Sequence, residues 1–445
     1  MVFELEKPNT NKIDVKQISK LLDENAQAIF NFNQNYSEKE YLYWDEIKYK
    51  KFSPEDFPKE NLWKFVKMLR ESKRRSSFIA DKKGKFFTWI QLNHFEKLFH
   101  EIDMNTGGEL FAEKDHLDKK SKQKLITRGI MEEAIASSQL EGAATSRQAA
   151  KKMLQEQRKP TNQSEQMILN NYLSMKSIEE KYKDIKMSRN LILELHEMIT
   201  KDTTDSENEI PRLRKTGEPI YIKDKSNNIT YYEAPDINFV EKEMKVLAAF
   251  ANDELKEKTF IHPIIKAIML HFWIGYLHPF TDGNGRLARL LFYWYLIKKG
   301  YWAFTYLPIS KMIKKSPKQY IMAYVYSEQD DNDLTYFINY NLNKIEMAIK
   351  DFKEYLNKQS KRNKKMKEKS EIKYALNMRQ IQLLQYLYGN LDERTTLKTH
   401  MTINQVTKAT ASKDLKDLVQ KGFLLANKIG RNVYYYGTNK IKSLF

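Results

Sequence analysis

Between Pro263 and Lys298 the chain carries two apolar helical stretches joined by a short polar loop, and this pairing limits the fold more than any other feature. Residues 263 to 276 predict a helix. Its richest part, Ala267 to Leu277, is interrupted only by His271 and Gly275, so it reads as a buried helix. It should stop at His278-Pro279, because proline disfavours helical geometry in the residue before it. A second helix is expected to begin near Asn284 and to carry Leu287, Leu290, Leu291, Trp294 and Leu296 inward. Lys298-Lys299-Gly300, cations followed by glycine, would end it. Helical spacing recurs at Ile168, Tyr172, Met175 and Ile178, and at Leu191, Ile192, Leu195 and Ile199. The fold class is therefore mainly α.

Length sets two or three domains as the expectation for 445 residues. With 41% hydrophobic residues and 12% aromatics, the composition is that of a globular protein. Cysteine is absent, which excludes disulfides and thiolate metal sites and permits a reducing compartment. No apolar run approaches the length of a membrane span, and the first residues lack the apolar segment of a secretory signal. A cytoplasmic protein without a membrane partner is expected. The net charge of +18 suits polyanionic partners, or reflects a lysine-rich composition without further meaning.

Four stretches follow from the patterning. Residues 1–115 form an α-rich N-terminal domain, with helices expected over Glu60 to Glu71 and Trp89 to His100 and a small hairpin turning at Asp81 to Lys85. Residues 116–350 are strongly helical. They are broken by a β-hairpin in which Ile220-Tyr221-Ile222 and Ile229 to Tyr232 flank the polar turn Lys223 to Asn228. Residues 351–373 read as a basic linker or the end of a solvated helix. Residues 374–445 read as helix (Asn377 to Tyr388), helix (Thr402 to Ala409), helix (Thr410 to Lys421) and two strands, a helix-turn-helix with a β-wing.

The loop before the second helix concentrates the chemistry: His278-Pro279-Phe280-Thr281-Asp282-Gly283-Asn284-Gly285-Arg286-Leu287-Ala288-Arg289. Open backbone N–H groups and the positive end of the helix dipole make its start an anion site. Glycine lets a phosphate approach the backbone. Arg286 and Arg289, three apart, are expected on one side of the first turn, forking onto phosphate oxygens. Asp282 suits Mg²⁺, a hard ion that prefers carboxylate and phosphate oxygens. His278 has a pKa suited to accepting a hydroxyl proton. The other histidines make a poorer case. His262, His271 and His278 fit no standard zinc spacing; His271 reads as a packed core residue and His262 as a helix start.

This string resembles the Fic family signature, His-Pro-Phe-x-Asp-Gly-Asn-Gly-Arg-x-x-Arg, at every fixed position, and the resemblance extends over about 120 to 345. It implies a helical Fic core with a β-hairpin flap, and transfer of AMP from ATP to a Tyr, Thr or Ser hydroxyl of a target protein, the chain itself included. His278 would then be the general base, and Asp282 would hold Mg²⁺ between the α- and β-phosphates. Asn284, the backbone of Gly283, Gly285 and its neighbours Leu287 and Ala288, and Arg286 would cradle phosphates, and Arg289 would meet the γ-phosphate. Tyr320 would stack on adenine, with Ser327 near the adenine or ribose. The stretch Leu307 to Gln319 is longer than the family usually has.

Upstream, residues 130–142 end in Ser137-Ser138-Gln139-Leu140-Glu141-Gly142. Ser137 and Glu141 share a helix face and Gly142 ends the helix. The segment is similar to the family's inhibitory helix, which implies that Glu141 pairs with Arg289 and takes the ground of the γ-phosphate. The hairpin Pro219-Ile220-Tyr221-Ile222 to Tyr232 is similar to the family's flap, docking an extended target segment or merely covering the core. In the C-terminal winged helix-turn-helix, Thr410, Ser412 and Lys413 would face DNA, with Lys428 and Arg431 on phosphate. The other reading makes this unit a protein-docking or homodimerising one. Two rivals to AMP transfer stand beside it: a DNA-binding regulator whose core senses ATP, and a hydrolase that removes AMP from proteins at the same site.

Overall fold

A computed structural model of the chain describes residues 2–9, 15–52, 58–104, 119–203, 212–223, 229–257, 259–389, 394–430 and 432–444. The described part is mainly helical. N-terminally, α1 (Val15–Phe32), α2 (Trp44–Ile47) and α3 (Lys59–Ser72) precede the hairpin β1 (Arg75–Ala80) and β2 (Phe86–Trp89), then α4 (Asn93–Ile102). The helix expected from Trp89 starts instead at Asn93, because Trp89 pairs with Arg75 across the hairpin.

The central helices are α5 (Lys119–Leu140), α6 (Arg147–Glu156), α7 (Gln163–Ser177) and α8 (Arg189–Thr200). The hairpin β3 (Tyr221–Lys223) and β4 (Thr230–Glu233) interrupts them, and its expected turn at 224–228 lies outside the described residues. Then come α9 (Ile237–Ala251), α10 (Pro263–Leu277), α11 (Asn284–Lys298), α12 (Ile309–Ile313), α13 (Pro317–Gln329) and α14 (Thr335–Tyr374). The apolar pair α10 and α11 lies at the centre. His262 caps α10 through its Nδ1, which accepts from Ile264 N–H, and Trp273, Trp294, Phe272 and Leu270 are buried beneath the covering helices.

One hydrophobic core runs from Leu5 and Ile29 through Trp89 and Phe99 to α10, α11 and Phe352. The boundary expected near residue 115 therefore does not separate two cores; the N-terminal helices share their packing with the central ones. The N-terminal segment also extends the hairpin. Val2 bridges Thr230 in parallel, and Phe3 N–H donates to the Thr230 carbonyl at 2.7 Å.

Residues 351–373 continue α14, which spans 40 residues. Glycine and proline are absent between Thr335 and Tyr374, so nothing in the sequence breaks the helix. Beyond it, α15 (Met378–Gly389), β5 (Arg394–Thr396), α16 (Leu397–Asn404), α17 (Lys408–Gln420), β6 (Leu424–Ile429) and β7 (Asn432–Gly437) surround a separate core of Leu384, Leu387, Leu415, Leu418 and Phe423. The strands are ordered β5-β7-β6, all antiparallel. The first of the paired helices, expected over Thr402 to Ala409, lies earlier, at Leu397–Asn404. Thr396 caps that helix, and Thr407, read as helical, instead caps α17 by accepting from Thr410 N–H.

Candidate functional site

The site grows from the turn between α10 and α11. His278 ends α10 in the left-handed region, with φ of +43°, a conformation that costs a non-glycine residue energy. Its surroundings hold it there. Arg214, from the stretch before β3, donates through Nε to the His278 carbonyl at 2.8 Å, and its backbone N–H donates to the Pro279 carbonyl at 2.9 Å. The imidazole is half-buried, and its Nδ1 bonds to the Gly275 carbonyl. A carbonyl only accepts, so Nδ1 carries the proton and Nε2 keeps its lone pair. Burial lowers the ring's pKa below the ordinary 6.5, with the Gly275 carbonyl and Glu141 opposing. The ring is therefore neutral near pH 7 and able to accept a proton.

Beneath the loop lies His196 of α8. Its ring stacks on Phe280 with 3.6 Å between centroids, and its Nε2 bonds to the Asp282 carbonyl at 2.8 Å. Burial depresses its pKa to about 4, so it is a neutral donor to that carbonyl. Gly283 takes φ of +82°, and a Cβ there would press on Thr200 and His196. Asn284 closes the turn. Its side chain accepts from Phe280 N–H at 3.0 Å and donates to the Phe280 carbonyl at 2.8 Å. Asn284, expected to cradle phosphate, bonds the loop through both ends of its side chain, and its amide nitrogen keeps a second N–H.

The first intrahelical bond of α11 joins Leu287 N–H to the Gly283 carbonyl. This leaves the preceding N–H groups at the helix's open end. Leu287 and Ala288 point into the core, so they contribute backbone alone. Arg286 and Arg289, neighbours on the helix surface, line one small cavity, yet their long arms find different partners. Arg286 turns toward α8, donating to the Ile199 carbonyl at 2.7 Å and to Asp282 Oδ2 at 2.9 Å. Arg289 turns toward α5. Its Nε donates to Ser137 Oγ at 2.8 Å, and its Nη2 to the Ser137 carbonyl at 3.0 Å and to Glu141 Oε1 at 2.8 Å.

Glu141 thus sits at the start of α11. A Cβ on Gly285 would overlap its carboxylate, so the carboxylate lies directly against that backbone. Gly142 follows with φ of +101°, and Ala143 N–H returns to the Ser138 carbonyl, a glycine-ended helix. Asp282 is the open carboxylate of the loop: its side chain is 54% exposed, with one oxygen on Arg286. Among the described residues no group of three His, Cys, Asp or Glu side chains gathers to hold a metal. A lone carboxylate suits a hard cation that arrives on phosphate oxygens and keeps several waters, as Mg²⁺ does.

Tyr320 of α13 stands beside Arg289. Its hydroxyl lies 2.7 Å from His271 Nε2, which places His271 in the core packing expected of it, with its pKa driven well down by burial. Ser327 is fully buried, and its Oγ accepts from Phe337 N–H at 3.3 Å. The hydroxyl of Ser327, expected near the adenine or ribose, lies against the start of α14. On the hairpin, Pro219 and Tyr221 are exposed and Ile220 and Ile222 half-buried, while the Tyr232 hydroxyl donates to the Tyr276 carbonyl behind His278.

The sequence reading missed His196 and Arg214. The signal for His196 was its place on the inward face of α8, beside Leu195 and Ile199, where a polar ring needs a partner. Arg214, in a stretch rich in proline and glycine, gave no comparable signal.

An open helix start, a neutral imidazole, an arginine and a loop carboxylate thus meet at one turn of a mainly helical protein. Residues 186–296 match the family model described as Fic/DOC. That stretch spans α8, the hairpin, α10 and nearly all of α11; α5 and Tyr320 lie outside it. Over 64 residues the chain is 44% identical to a protein adenylyltransferase Fic of Nematostella vectensis, covering 14% of either chain. It is 38% identical over 63 residues to protein adenylyltransferase fic-1 of Caenorhabditis elegans, covering 14% of this chain and 12% of that one. The matched stretch thus spans about one-seventh of these relatives. Among solved structures, a Fic family protein from Desulfovibrio desulfuricans G20 is similar over 78% of this chain and 97% of that one, at 17% identity and a TM-score of 0.49. No helix among the described residues is long and apolar enough to cross a membrane.

Proposed function

We propose that the chain is a protein adenylyltransferase that moves AMP from ATP to a Tyr, Thr or Ser hydroxyl of a target protein, held in check by its own Glu141. The observation that carries this reading is the Glu141 carboxylate resting on the Gly285 backbone and paired with Arg289. It is an internal anion on ground suited to a phosphate.

In the reaction, the target hydroxyl oxygen attacks the α-phosphorus as its proton passes to His278 Nε2. The new P–O bond forms, the bond to the β-phosphate oxygen breaks, and pyrophosphate leaves. The chain's part is placement and charge. The Gly275 carbonyl fixes the tautomer of His278, and Arg214 and His196 hold the loop. The start of α11 and Arg289 grip the polyphosphate, and Tyr320 walls the adenine side. Asp282 would hold Mg²⁺, which neutralises phosphate charge when bound. With Glu141 in place, Arg289 is withheld from the terminal phosphate. ATP labelled at the α-phosphate tests the whole. Label should enter protein in Glu141→Gly, and it should be absent in Glu141→Gly/His278→Ala. Equal labelling with and without His278, or none in either, overturns the reading; release of AMP from a modified protein instead would favour the hydrolase.

A second reading concerns the C-terminal unit, which we take as a winged helix able to meet duplex DNA. What supports it is the direction of its acids. Asp414 is 3% exposed and bonded to Arg379 at 2.6 Å and His400 at 3.2 Å; Asp417 is bonded to Lys421 at 2.7 Å. The outer stripe of α17 is left with Lys408, Lys413 and Lys416, while Thr410 and Ser412 are half-buried. On the wing Lys428 is exposed beside exposed Leu425 and Ile429, and Arg431 lies outside the described residues. Fluorescence anisotropy with a random duplex should show salt-dependent binding that Lys413→Glu weakens. Binding unaffected by that change refutes it.

A further inference from the structure

The stripe of α5 that carries Ser137 and Glu141 begins one turn earlier with Glu133, a buried carboxylate outside the machinery described above. Its oxygens accept from Ser310 N–H at 2.9 Å, from the Ser310 hydroxyl, and from the Tyr293 hydroxyl at 2.8 Å. That tyrosine oxygen also takes the N–H of Ile309 at 2.9 Å and lies 2.9 Å from the Leu307 carbonyl. Glu133 therefore ties α5 to α11 and to the start of α12 together. A second tie lies further along, where Lys314 Nζ donates to Gln139 Oε1 at 2.6 Å. The surplus stretch after Leu307 is thus accounted for: it folds into α12, whose Ile309, Met312 and Ile313 are buried, and it grips α5.

Two helix faces meet here like a zipper. On α5 the positions are Glu133, Ser137 and Glu141; on α11 they are Tyr293, Arg289 and Gly285, each four apart. Registry at the first pair fixes registry at the last. Glu133 also stands where α5 changes allegiance. Ile126 and Ile130 belong to the main core, whereas Met131 and Ile135 pack in a satellite core with Ala143, Ala150, Met153, Leu154 and Ile168. Beyond Glu133 the helix packs on α6 and α7 through Met131 and Ile135 and meets the main core again at Leu140, so polar ties add to its hold on the catalytic helices.

We propose that Glu133 is a positioning residue that latches α5 to α12, and so sets the register at which Ser137 and Glu141 reach Arg289. Glu133 touches neither His278 nor the open start of α11; it acts through the helix it holds. Its carboxyl is pushed up by burial and held down by its donors and by Arg289. This inference rests on Glu141 acting as a brake, and its test separates the two.

Glu133→Ala and Glu133→Gln are made in the native chain and in Glu141→Gly. Pyrophosphate release from Mg-ATP and amide exchange over residues 134–142 are then measured. The latch predicts that Glu133→Ala raises the native rate roughly 2- to 30-fold and speeds exchange. It predicts no added rise in Glu141→Gly, where no brake remains to be misplaced. Glu133→Gln, which can accept from Ser310 N–H and Tyr293 and donate to the Ser310 hydroxyl, should keep the native rate. A merely structural carboxylate would lower activity in both backgrounds. That outcome, or unchanged activity and exchange in Glu133→Ala while Glu141→Gly is activated, overturns the latch. If Glu141→Gly itself is not activated, the brake fails and exchange alone decides whether Glu133 holds the register. Should Glu133→Ala not fold, Ser310→Ala and Tyr293→Phe each remove one donor and are read the same way.

Discussion

Glu141→Ala should cost stability and gain nucleotide affinity, because one contact accounts for both. Arg289 is almost entirely buried, and it keeps its two Ser137 oxygens when the carboxylate is removed. Breaking a fully buried ion pair costs about 3–5 kcal/mol. Here the Glu141 side chain is 27% exposed and the arginine stays partly satisfied, which brings the loss to about 1–2 kcal/mol. A melting curve of the free protein should fall by about 1–3 °C. If the carboxylate competes with a terminal phosphate for Arg289, the same free energy returns on binding. Isothermal titration with Mg-ATP should then give a Kd lower by about 5- to 30-fold. ADP, which lacks that phosphate, should gain less. The reasoning is refuted if Glu141→Ala melts lower but binds Mg-ATP no more tightly, for then the carboxylate supports the fold without standing on the nucleotide's ground.

Other outcomes follow from the same geometry. In a pH profile of Glu141→Gly, activity should fall only as pH drops through the lowered pKa of His278, so the acid limb lies below pH 6.5. A limb at or above 6.5 contradicts a buried neutral base. His196, with a folded pKa of about 4 against 6.5 unfolded, gives stability that is complete above pH 6.5 and lost as pH falls toward 4. The loss should be about 3 kcal/mol, and chemical denaturation across that range should be flatter in His196→Asn. Asn284→Ala strands the Phe280 N–H and carbonyl and should cost about 2–3 kcal/mol by the same assay, with activity reduced. Gly285→Ala should expel Glu141 without raising the labelling rate, because the added methyl stands where either anion must lie; activation by this change would place the phosphate elsewhere.

The helices α10 and α11 and the glycine loop between them were legible because they are local. Apolar runs, a proline and glycines specify them within a few residues. The hairpins were legible for the same reason. What the sequence hid was direction. Arg286 and Arg289 look like a pair in one dimension, yet the first is claimed by the Ile199 carbonyl and the second by Ser137, partners 87 and 152 residues away. Ser327, seven residues beyond Tyr320, accepts from Phe337 N–H, a partner its spacing does not announce. Asp414 of α17 is likewise claimed by Arg379, 35 residues away. That Leu98 and Leu270, on either side of the break expected near residue 115, belong to one hydrophobic core also leaves no local trace.

The two anions that we propose compete for the start of α11 are unequal. A triphosphate brings several charges and many acceptor oxygens; Glu141 brings one charge and a short arm. In free solution the carboxylate would lose. It can hold the site only because it is tethered, and a tether counts through the effective concentration it imposes, which is high only when its geometry is fixed. The C-terminal part of α5 packs through Met131 and Ile135 on a satellite core and through Leu140 on the main one, so polar contacts add to what apolar burial fixes against α11. The polar ties from Glu133 to Ser310 and Tyr293, and from Gln139 to Lys314, are those contacts. Such ties are directional: lost by a small shift, they give back little, unlike apolar contacts that slide. A brake built this way is strong when seated and releases over a short displacement. Its strength should therefore track the integrity of α12 as closely as the charge on Glu141.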